Sequence, residues 1–444
     1  MFQRILIANR GEIAVRILRA CRELGVDTVA VYSSADADAL HVQLATQAVC
    51  IGPAKAADSY LNVDALLTVA RQTGCDALHP GYGFLSENAE FAQRCADLEL
   101  TFIGPSGDVI RTMGNKAAAR ALRQSHGVPV VPGSDGPVST AQDAQAVAEA
   151  IGYPVLVKAS AGGGGRGMRR VDRPEDLPAL FQAAQSEAVA CFGNGELYVE
   201  KLILHPRHIE FQILADSQGN VIHLGERDCS IQRKNQKLIE ESPSRALTPQ
   251  LREEMGQAAV RAARAAHYES AGTIEFVLDE DGRFYFIEMN TRIQVEHPIT
   301  EWVTGIDLIK EQIRIASGLP LSYRQEDVKI TGHAIEVRVN AERPEEGFLP
   351  CPGTVTGLHL PGGKGVRIDS AIYSGYTIPP YYDSMVAKLI VWAKNRQEAI
   401  RKMQSALGEV IIEGIDTNVD YQYGIVNHPD YIEGNIDIEF IERL

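Results

Sequence analysis

Short apolar runs alternate with amphipathic stretches at the start of the chain. RILIA at 4–8 reads as a buried strand. Ile13, Ile17, Ala20 and Leu24 then recur on one helical face, and Gly25 is a stop signal. TVAVYSS at 28–34 is a second strand. ALHPGYGFLSENAEFAQRC follows as strand, glycine-rich turn and helix, and TFIGPS as another strand. Strand and helix alternate to about residue 105, which predicts an α/β, Rossmann-like domain on a parallel sheet. The first turn, Asn9-Arg10-Gly11-Glu12, lacks the Gly-x-Gly-x-x-Gly that brings backbone against a pyrophosphate. A dinucleotide-dependent dehydrogenase is disfavoured on that ground.

From about 114 to 330 the pattern changes. Helices over 115–125, 140–151, 173–190 and 248–267 alternate with hairpin-like strand pairs, which predicts α+β with antiparallel sheets. Residues 331–444 hold further strands, a Pro/Gly-rich middle from Pro350 to Pro380, and a helix near 396–408. The 444 residues fit roughly three domains at about 150 residues each, divided here as 1–113, 114–330 and 331–444.

Composition narrows the function classes. Apolar residues are 45% and charged residues 23%, the ordinary globular range. The net charge of −15 repels phosphate backbones, so no nucleic-acid partner is expected. A pocket can still carry the opposite sign, so small anionic substrates stay open. No stretch approaches the roughly 20 apolar residues that span a bilayer, so no membrane partner is expected. Asn9, Arg10 and Glu12 interrupt the first apolar stretch, which therefore does not read as a signal peptide. Seven scattered cysteines without a Cys-x-x-Cys point to a reducing, cytoplasmic location.

Several constellations carry chemistry. Strand residues Val157-Lys158 run into Ala159-Ser160-Ala161-Gly162-Gly163-Gly164-Gly165-Arg166-Gly167-Met168. Such glycines let N–H groups close on phosphate oxygens, and lysine adds a point charge. The plain alternative is a surface loop, but four consecutive glycines cost much entropy to order, which favours a loop that orders over a ligand. In the hairpin TIEFVLDEDGRFYFIEMN, a turn at Glu280–Arg283 with Asp279 against Phe284 sets Glu275 opposite Glu288. Two carboxylates that close repel unless a cation lies between them, and oxygen-only ligands favour Mg²⁺ or Mn²⁺. If the chain stays extended beyond Glu288, then Glu288, Asn290, Arg292, Gln294 and Glu296 share one face. Those residue types suit metal, phosphate and a small anion.

Three weaker signals follow. Gln232-Arg233-Lys234-Asn235-Gln236-Lys237, before Glu240-Glu241, reads on its own as a solvated charge run. His79-Pro80-Gly81-Tyr82-Gly83-Phe84-Leu85-Ser86-Glu87-Asn88 lies at the ligand edge of the first sheet, and is either a close-approach loop or a plain turn. Arg338 sits in the alternating strand Glu336-Val337-Arg338-Val339-Asn340, where it reads equally as a surface residue.

With these residues in view the chain resembles the biotin carboxylase family of the ATP-grasp superfamily. IANRGEIA, HPGYGFLSEN, KASAGGGGRGM, RDCSIQRKNQK, FIEMNTRIQVEHPITE and PPYYDSM follow the family's motifs in order. The resemblance implies an N-terminal Rossmann-like domain, a central ATP-grasp domain with a mobile glycine-loop lid over about 131–203, and a C-terminal α+β domain. By position it implies that Lys116, Lys158, Gly163, Gly164, Gly165 and Met168 hold or cover ATP phosphates. Glu200, Lys201 and Ile203 would line the adenine slot, with His208, Gln232 and Asn235 near the nucleotide. Glu275, Glu288 and Asn290 would hold two Mg²⁺ or Mn²⁺ ions. Lys237, Arg292, Gln294, the Val295 backbone and Glu296 would bind bicarbonate, with Glu296 as general base. Arg338 would steady the biotin enolate, and Tyr82 would touch biotin. Ala161 stands where relatives of the family often have glycine, and Asn235 where some have histidine.

The implied activity is ATP-dependent carboxylation of biotin by bicarbonate through carboxyphosphate, the first half-reaction of acetyl-CoA carboxylase in fatty acid synthesis. Another acyl-CoA or pyruvate carboxylase is the near alternative. A non-catalytic nucleotide-binding regulatory subunit, which would bind ATP without turnover, is the distant one. No Met-Lys-Met occurs, and Lys402-Met403 lies in an amphipathic helix. With the chain ending at Leu444, biotin is expected on a separate biotin carboxyl carrier protein, beside a carboxyltransferase component and within a homodimer.

Overall fold

The first apolar runs build a five-stranded parallel sheet in the order Gln47–Gly52, Asp27–Ser33, Arg4–Ile7, Ala77–His79, Thr101–Phe102. The structure is a computed structural model that describes residues 1–115, 126–159 and 167–444. Helix Gly11–Glu23 buries Ile13, Ile17 and Ala20 against this sheet and gives way at Leu24, before Gly25 at φ +72°. The edge strand Gln47–Gly52 has no clear apolar alternation, being largely half-exposed, and the sequence pattern did not mark it.

The central sheet has eight strands, all paired antiparallel. In spatial order they are Phe284–Asn290, Ser270–Leu278, Arg207–Ala215, Val221–Arg233, Gln236–Ser242, His333–Asn340, Met385–Ala393 and Val366–Ser370. The last three come from beyond residue 330, so the C-terminal strands extend the central sheet directly. Helix Pro249–Ala265 packs on it through Met255, Ala258, Ala259, Ala262 and Ala263, all fully buried. Thr248 caps that helix by accepting from the Leu251 N–H, and Pro249 occupies its first turn.

A smaller antiparallel sheet, Met168–Val171, Val155–Ala159 and Leu197–Lys201, carries helices Ala141–Ile151 and Leu177–Phe192. It has a core of its own, including Ala144, Val155, Val157, Phe181 and Val199. The helices expected over 140–151, 248–267 and 396–408 agree with Ala141–Ile151, Pro249–Ala265 and Arg396–Glu409. The helix expected over 115–125 and the glycine run 162–165 fall outside the described residues.

Two local expectations need correction. The Asp279 N–H donates to the Arg283 carbonyl at 2.9 Å, so Asp279 does not close against Phe284. The strands pair Leu278 with Phe284 and Phe276 with Phe286, and an extra residue, Ile287, then restores Glu275 opposite Glu288. The carboxylate pair therefore exists because of a β-bulge. The run to Glu296 is also not extended. Its strand ends at Asn290, and residues 291–296 bend and turn into helix His297–Thr304. Glu87 holds the bend, its carboxylate accepting from the Thr291 N–H at 3.1 Å and from Arg292 Nε at 3.0 Å.

Candidate active site

Residues directly opposed on neighbouring strands share one face of a sheet. Here the register sets Glu288 opposite Glu275, Glu275 opposite Glu210, and Glu210 opposite Arg227. Arg227 is fully buried, and its guanidinium donates to Glu210 Oε1 (2.5 Å), Gln212 Oε1 (2.7 Å), Thr300 Oγ1 (3.0 Å), Thr273 Oγ1 (3.0 Å) and Gln294 Oε1 (2.8 Å). Its five N–H groups are thereby all used. It forms the floor of the site and fixes which way the Gln294 amide faces.

Lys237 stands at the centre, opposite Gln232 across a hairpin. Its ammonium donates to Glu210 Oε2 (2.6 Å), Glu275 Oε1 (3.1 Å) and Glu296 Oε1 (2.7 Å). Burial would lower its pKa, but these carboxylates push it well above the ordinary lysine value. Burial likewise opposes ionisation of Glu296. Lys237 and Arg338 outweigh it, despite repulsion from Glu210, and hold that carboxyl at about 2. Arg338 Nη2 donates to Glu296 Oε2 at 3.0 Å and its Nε to Glu240 Oε1 at 2.6 Å. Burial raises the Glu240 carboxyl to about 7, with Arg338 opposing and Glu296 adding to the rise. Arg338 therefore bridges the Glu296 and Glu240 carboxyl groups.

Around this core the structure brings together most of the anticipated residues. Asn290 Nδ2 and Gln294 Nε2 each donate to Glu275 Oε1 at 2.9 Å. Arg292 Nη2 donates to Asn290 Oδ1 at 3.1 Å. His208 Nε2 lies 3.2 Å from Glu275 Oε2, beneath the carboxylate row rather than apart from it. The Tyr82 hydroxyl donates to Glu12, and Asn9 Nδ2 pins the loop beside it by donating to Pro80 O (2.7 Å) and Tyr82 O (2.8 Å). This is the structural role of Asn9 in the first motif. Arg10 instead reaches Asp36 (2.6 Å) and lies 4.1 Å from the ring centre of Tyr382 in PPYYDSM.

The nucleotide side is less concentrated. Lys158 donates to Glu200. The Lys201 ammonium is occupied by the carbonyls of Gly152 (3.0 Å) and Tyr153 (2.9 Å). Ile203 is half-buried beside them, and Met168, on the strand paired with Lys158, is exposed. The charge run divides. Lys234 (φ +47°) and Asn235 (φ +64°) form the exposed hairpin tip, whereas Gln232 and Lys237 turn inward and Glu240 and Glu241 are buried. The solvated reading thus holds for the tip and fails for Lys237. Lys116, Ala161, Gly163, Gly164 and Gly165 lie outside the described residues.

Glu275, Glu288 and Asn290 offer oxygen ligand atoms, and Glu288 is exposed. That donor set fits Mg²⁺ or Mn²⁺. His208, Glu210 and Glu275 also bring ligand atoms within 4.8 Å of one another. Lys237 and Arg227 already neutralise Glu210, so this second cluster is an ion-pair network. Sequence reasoning missed Glu210, Arg227, Glu240, Glu12 and Lys388. All are charged residues buried by partners distant in the chain.

Residues 1–110 match the family described as Biotin carboxylase, N-terminal domain, and 336–443 the Biotin carboxylase C-terminal domain. Residues 115–324 match the Carbamoyl-phosphate synthase L chain, ATP binding domain. A biotin carboxylase of Nostoc sp. is 58% identical, over 100% of this chain and 99% of the relative.

The chain belongs to the biotin carboxylase family. The biotin carboxylase of Campylobacter jejuni, solved as a β-γ-ATP complex, superposes with a TM-score of 0.95 at 49% identity, covering 100% of this chain and 99% of that one. The biotin carboxylase domain dimer of the Hydrogenobacter thermophilus 2-oxoglutarate carboxylase, solved with MgADP, ADP and bicarbonate, gives 0.93 at 50% identity, covering 100% and 98%. The expected family and the mixed α/β fold with an ATP-grasp domain are borne out. Among the described residues no helix is long and apolar enough to cross a membrane.

Proposed function

We propose that this chain carboxylates biotin held on a separate carrier protein, using ATP and bicarbonate. The observation that carries the reading is the double clamp on Glu296. Lys237 holds one oxygen, on the side of the carboxylate row, and Arg338 holds the other. The base therefore stands between a phosphate-and-metal half and a biotin half. Glu296 removes the proton of bicarbonate, which binds against Lys237, Arg292, Gln294 and the Val295 N–H. The freed oxygen attacks the γ-phosphoryl group of ATP and ADP leaves. Lys158, with Lys116 and the glycine run, offsets the phosphate charge. When bound at Glu275, Glu288 and Asn290, two Mg²⁺ or Mn²⁺ ions supply further charge neutralisation and in-line orientation. Carboxyphosphate breaks into CO₂ and phosphate. The phosphate takes the N1 proton of biotin, Arg338 balances the enolate charge, and N1 attacks CO₂.

We assign adenine to the strand end at Glu200–Ile203, the phosphate cover to the glycine run and Met168, the nucleotide's polar parts to His208, Gln232 and Asn235, and biotin to Tyr82 and Arg338. We divide the chain as 1–113, 114–330 and 331–444, with a lid at 131–203; the matches at 1–110, 115–324 and 336–443 support the three-part division. A separate carrier is favoured because the Lys402 ammonium is tied to Lys364 O (2.9 Å) and Trp392 O (2.7 Å), unlike a displayed biotinyl lysine. A carboxyltransferase component, a homodimer and a cytoplasmic location complete the reading, the last supported by seven free cysteines. The acceptor we favour is acetyl-CoA, for malonyl-CoA supply. The test is transfer of label from ¹⁴C-bicarbonate to a biotinylated carrier in the presence of ATP and Mg²⁺. Label on the carrier is expected, and ATP binding without any label transfer would favour the regulatory alternative.

A further inference from the structure

Two consecutive carbonyls of the turn at Gln294–Glu296 are capped by buried side chains from behind. His297 Nδ1 lies 2.8 Å from Gln294 O, and Lys388 Nζ lies 2.8 Å from Val295 O. Both side-chain owners are fully buried. A carbonyl only accepts, so Nδ1 is the protonated nitrogen of His297, and Nε2, which has no partner, carries the bare lone pair. Burial, with Lys388, Arg16 and Arg367 nearby, keeps the ring neutral by holding its pKa well below the ordinary value. The tautomer is therefore set by the surroundings.

A trans peptide is planar, and its N–H points opposite to its C=O. Drawing Gln294 O toward His297 thus turns the Val295 N–H to the other side of the turn, and Lys388 does the same for the next peptide. Lys388 is itself anchored 3.2 Å from Glu12, the acceptor of the Tyr82 hydroxyl. We propose that His297 is a positioning residue that presents the Val295 N–H to bicarbonate by holding the Gln294 carbonyl. The proposal rests on the bicarbonate assignment made above. His297 touches no substrate; it acts through the backbone.

The test compares His297→Leu, His297→Gln and His297→Asn in bicarbonate-dependent ATP cleavage, with thermal denaturation alongside. Asparagine places an amide donor where imidazole Nδ1 was, and glutamine places one near Nε2. Leu and Gln are expected to raise KM for bicarbonate about ten-fold, the ~1.4 kcal/mol scale of one lost hydrogen bond, with KM for ATP within about two-fold. Asn is expected to stay within about three-fold of the parent. If the leucine variant does not fold, the contrast of Asn with Gln decides. Equal KM for bicarbonate in the folded variants and the parent, or KM for ATP rising in step, overturns the positioning role alone. ATP cleavage by the parent that ignores bicarbonate overturns the functional reading and this role with it.

Discussion

Lys237 donates to Oε1 of Glu296 across 2.7 Å, with both groups largely withdrawn from water. The same ammonium holds Glu210 and Glu275, so a single cation joins Glu296 to the carboxylate row. Lys237→Gln is expected to lower bicarbonate-dependent ATP cleavage by at least about a hundred-fold. It also strips the counter-charge from buried carboxylates, which costs on the order of 3–5 kcal/mol of stability. Steady-state rates and urea melts measure the two effects. Parent-like turnover in this variant would remove Lys237 from the site.

Glu288 and Glu275 face each other but differ in surroundings. Glu288 is exposed, whereas Glu275 takes bonds or ion pairs from His208, Lys237, Asn290 and Gln294. Glu288→Gln should lose most ATP turnover, about a hundred-fold or more. Glu275→Gln should lose turnover and also melt several degrees lower. Parent-like turnover of Glu288→Gln at saturating Mg²⁺ would contradict the metal assignment.

Glu296→Ala and Arg338→Ala should fail differently. The first is expected to abolish bicarbonate-dependent ATP cleavage. The second should leave slow cleavage, lowered about ten- to a hundred-fold through its contact with Glu296, but with no transfer to biotin. Parallel measurement of ADP release and carboxybiotin separates them. Equal loss of both products in both variants would contradict the division into two halves.

The pH dependence of stability tests the carboxylate row without substrate. Burial would lower the His208 pKa, but Glu275 outweighs it and raises it to about 9. A raised histidine pKa adds stability that is fully present below the unfolded value of about 6.5 and is lost as pH rises through the folded value. The stability gap between the parent and His208→Gln, metal-free, should be largest near pH 6, a few kcal/mol at most, and should shrink from about pH 6.5 to 9. A gap that is constant or grows over that window would contradict the ion pair.

Much of this was legible in the sequence. The α/β start, the antiparallel centre and the Glu275–Glu288 pair all follow from local periodicity. The pair survived a misjudged turn only because the bulge at Ile287 offset it by one residue. Other features were hidden because their partners are remote. Glu226, Arg227 and Asp228 carry three charges in a row, yet all three are buried within strand Val221–Arg233. Arg227 is held there by Glu210, Gln212, Thr273, Gln294 and Thr300, which converge on it from two strands, a turn and a helix. Glu87 was visible in the HPGYGFLSEN motif, but its bond to Arg292 spans 205 residues and has no local signal.

On the proposed mechanism, bicarbonate deprotonated at Glu296 drives ATP cleavage. Its most direct measurement is ADP release with Mg²⁺ and free biotin, in carbon dioxide-free buffer and after addition of bicarbonate, for the parent and Glu296→Ala. Near-zero release is expected without bicarbonate, with a rise of at least about ten-fold on its addition to the parent and no rise in Glu296→Ala. ADP release that is the same with and without bicarbonate, or a full bicarbonate response in Glu296→Ala, would contradict that mechanism.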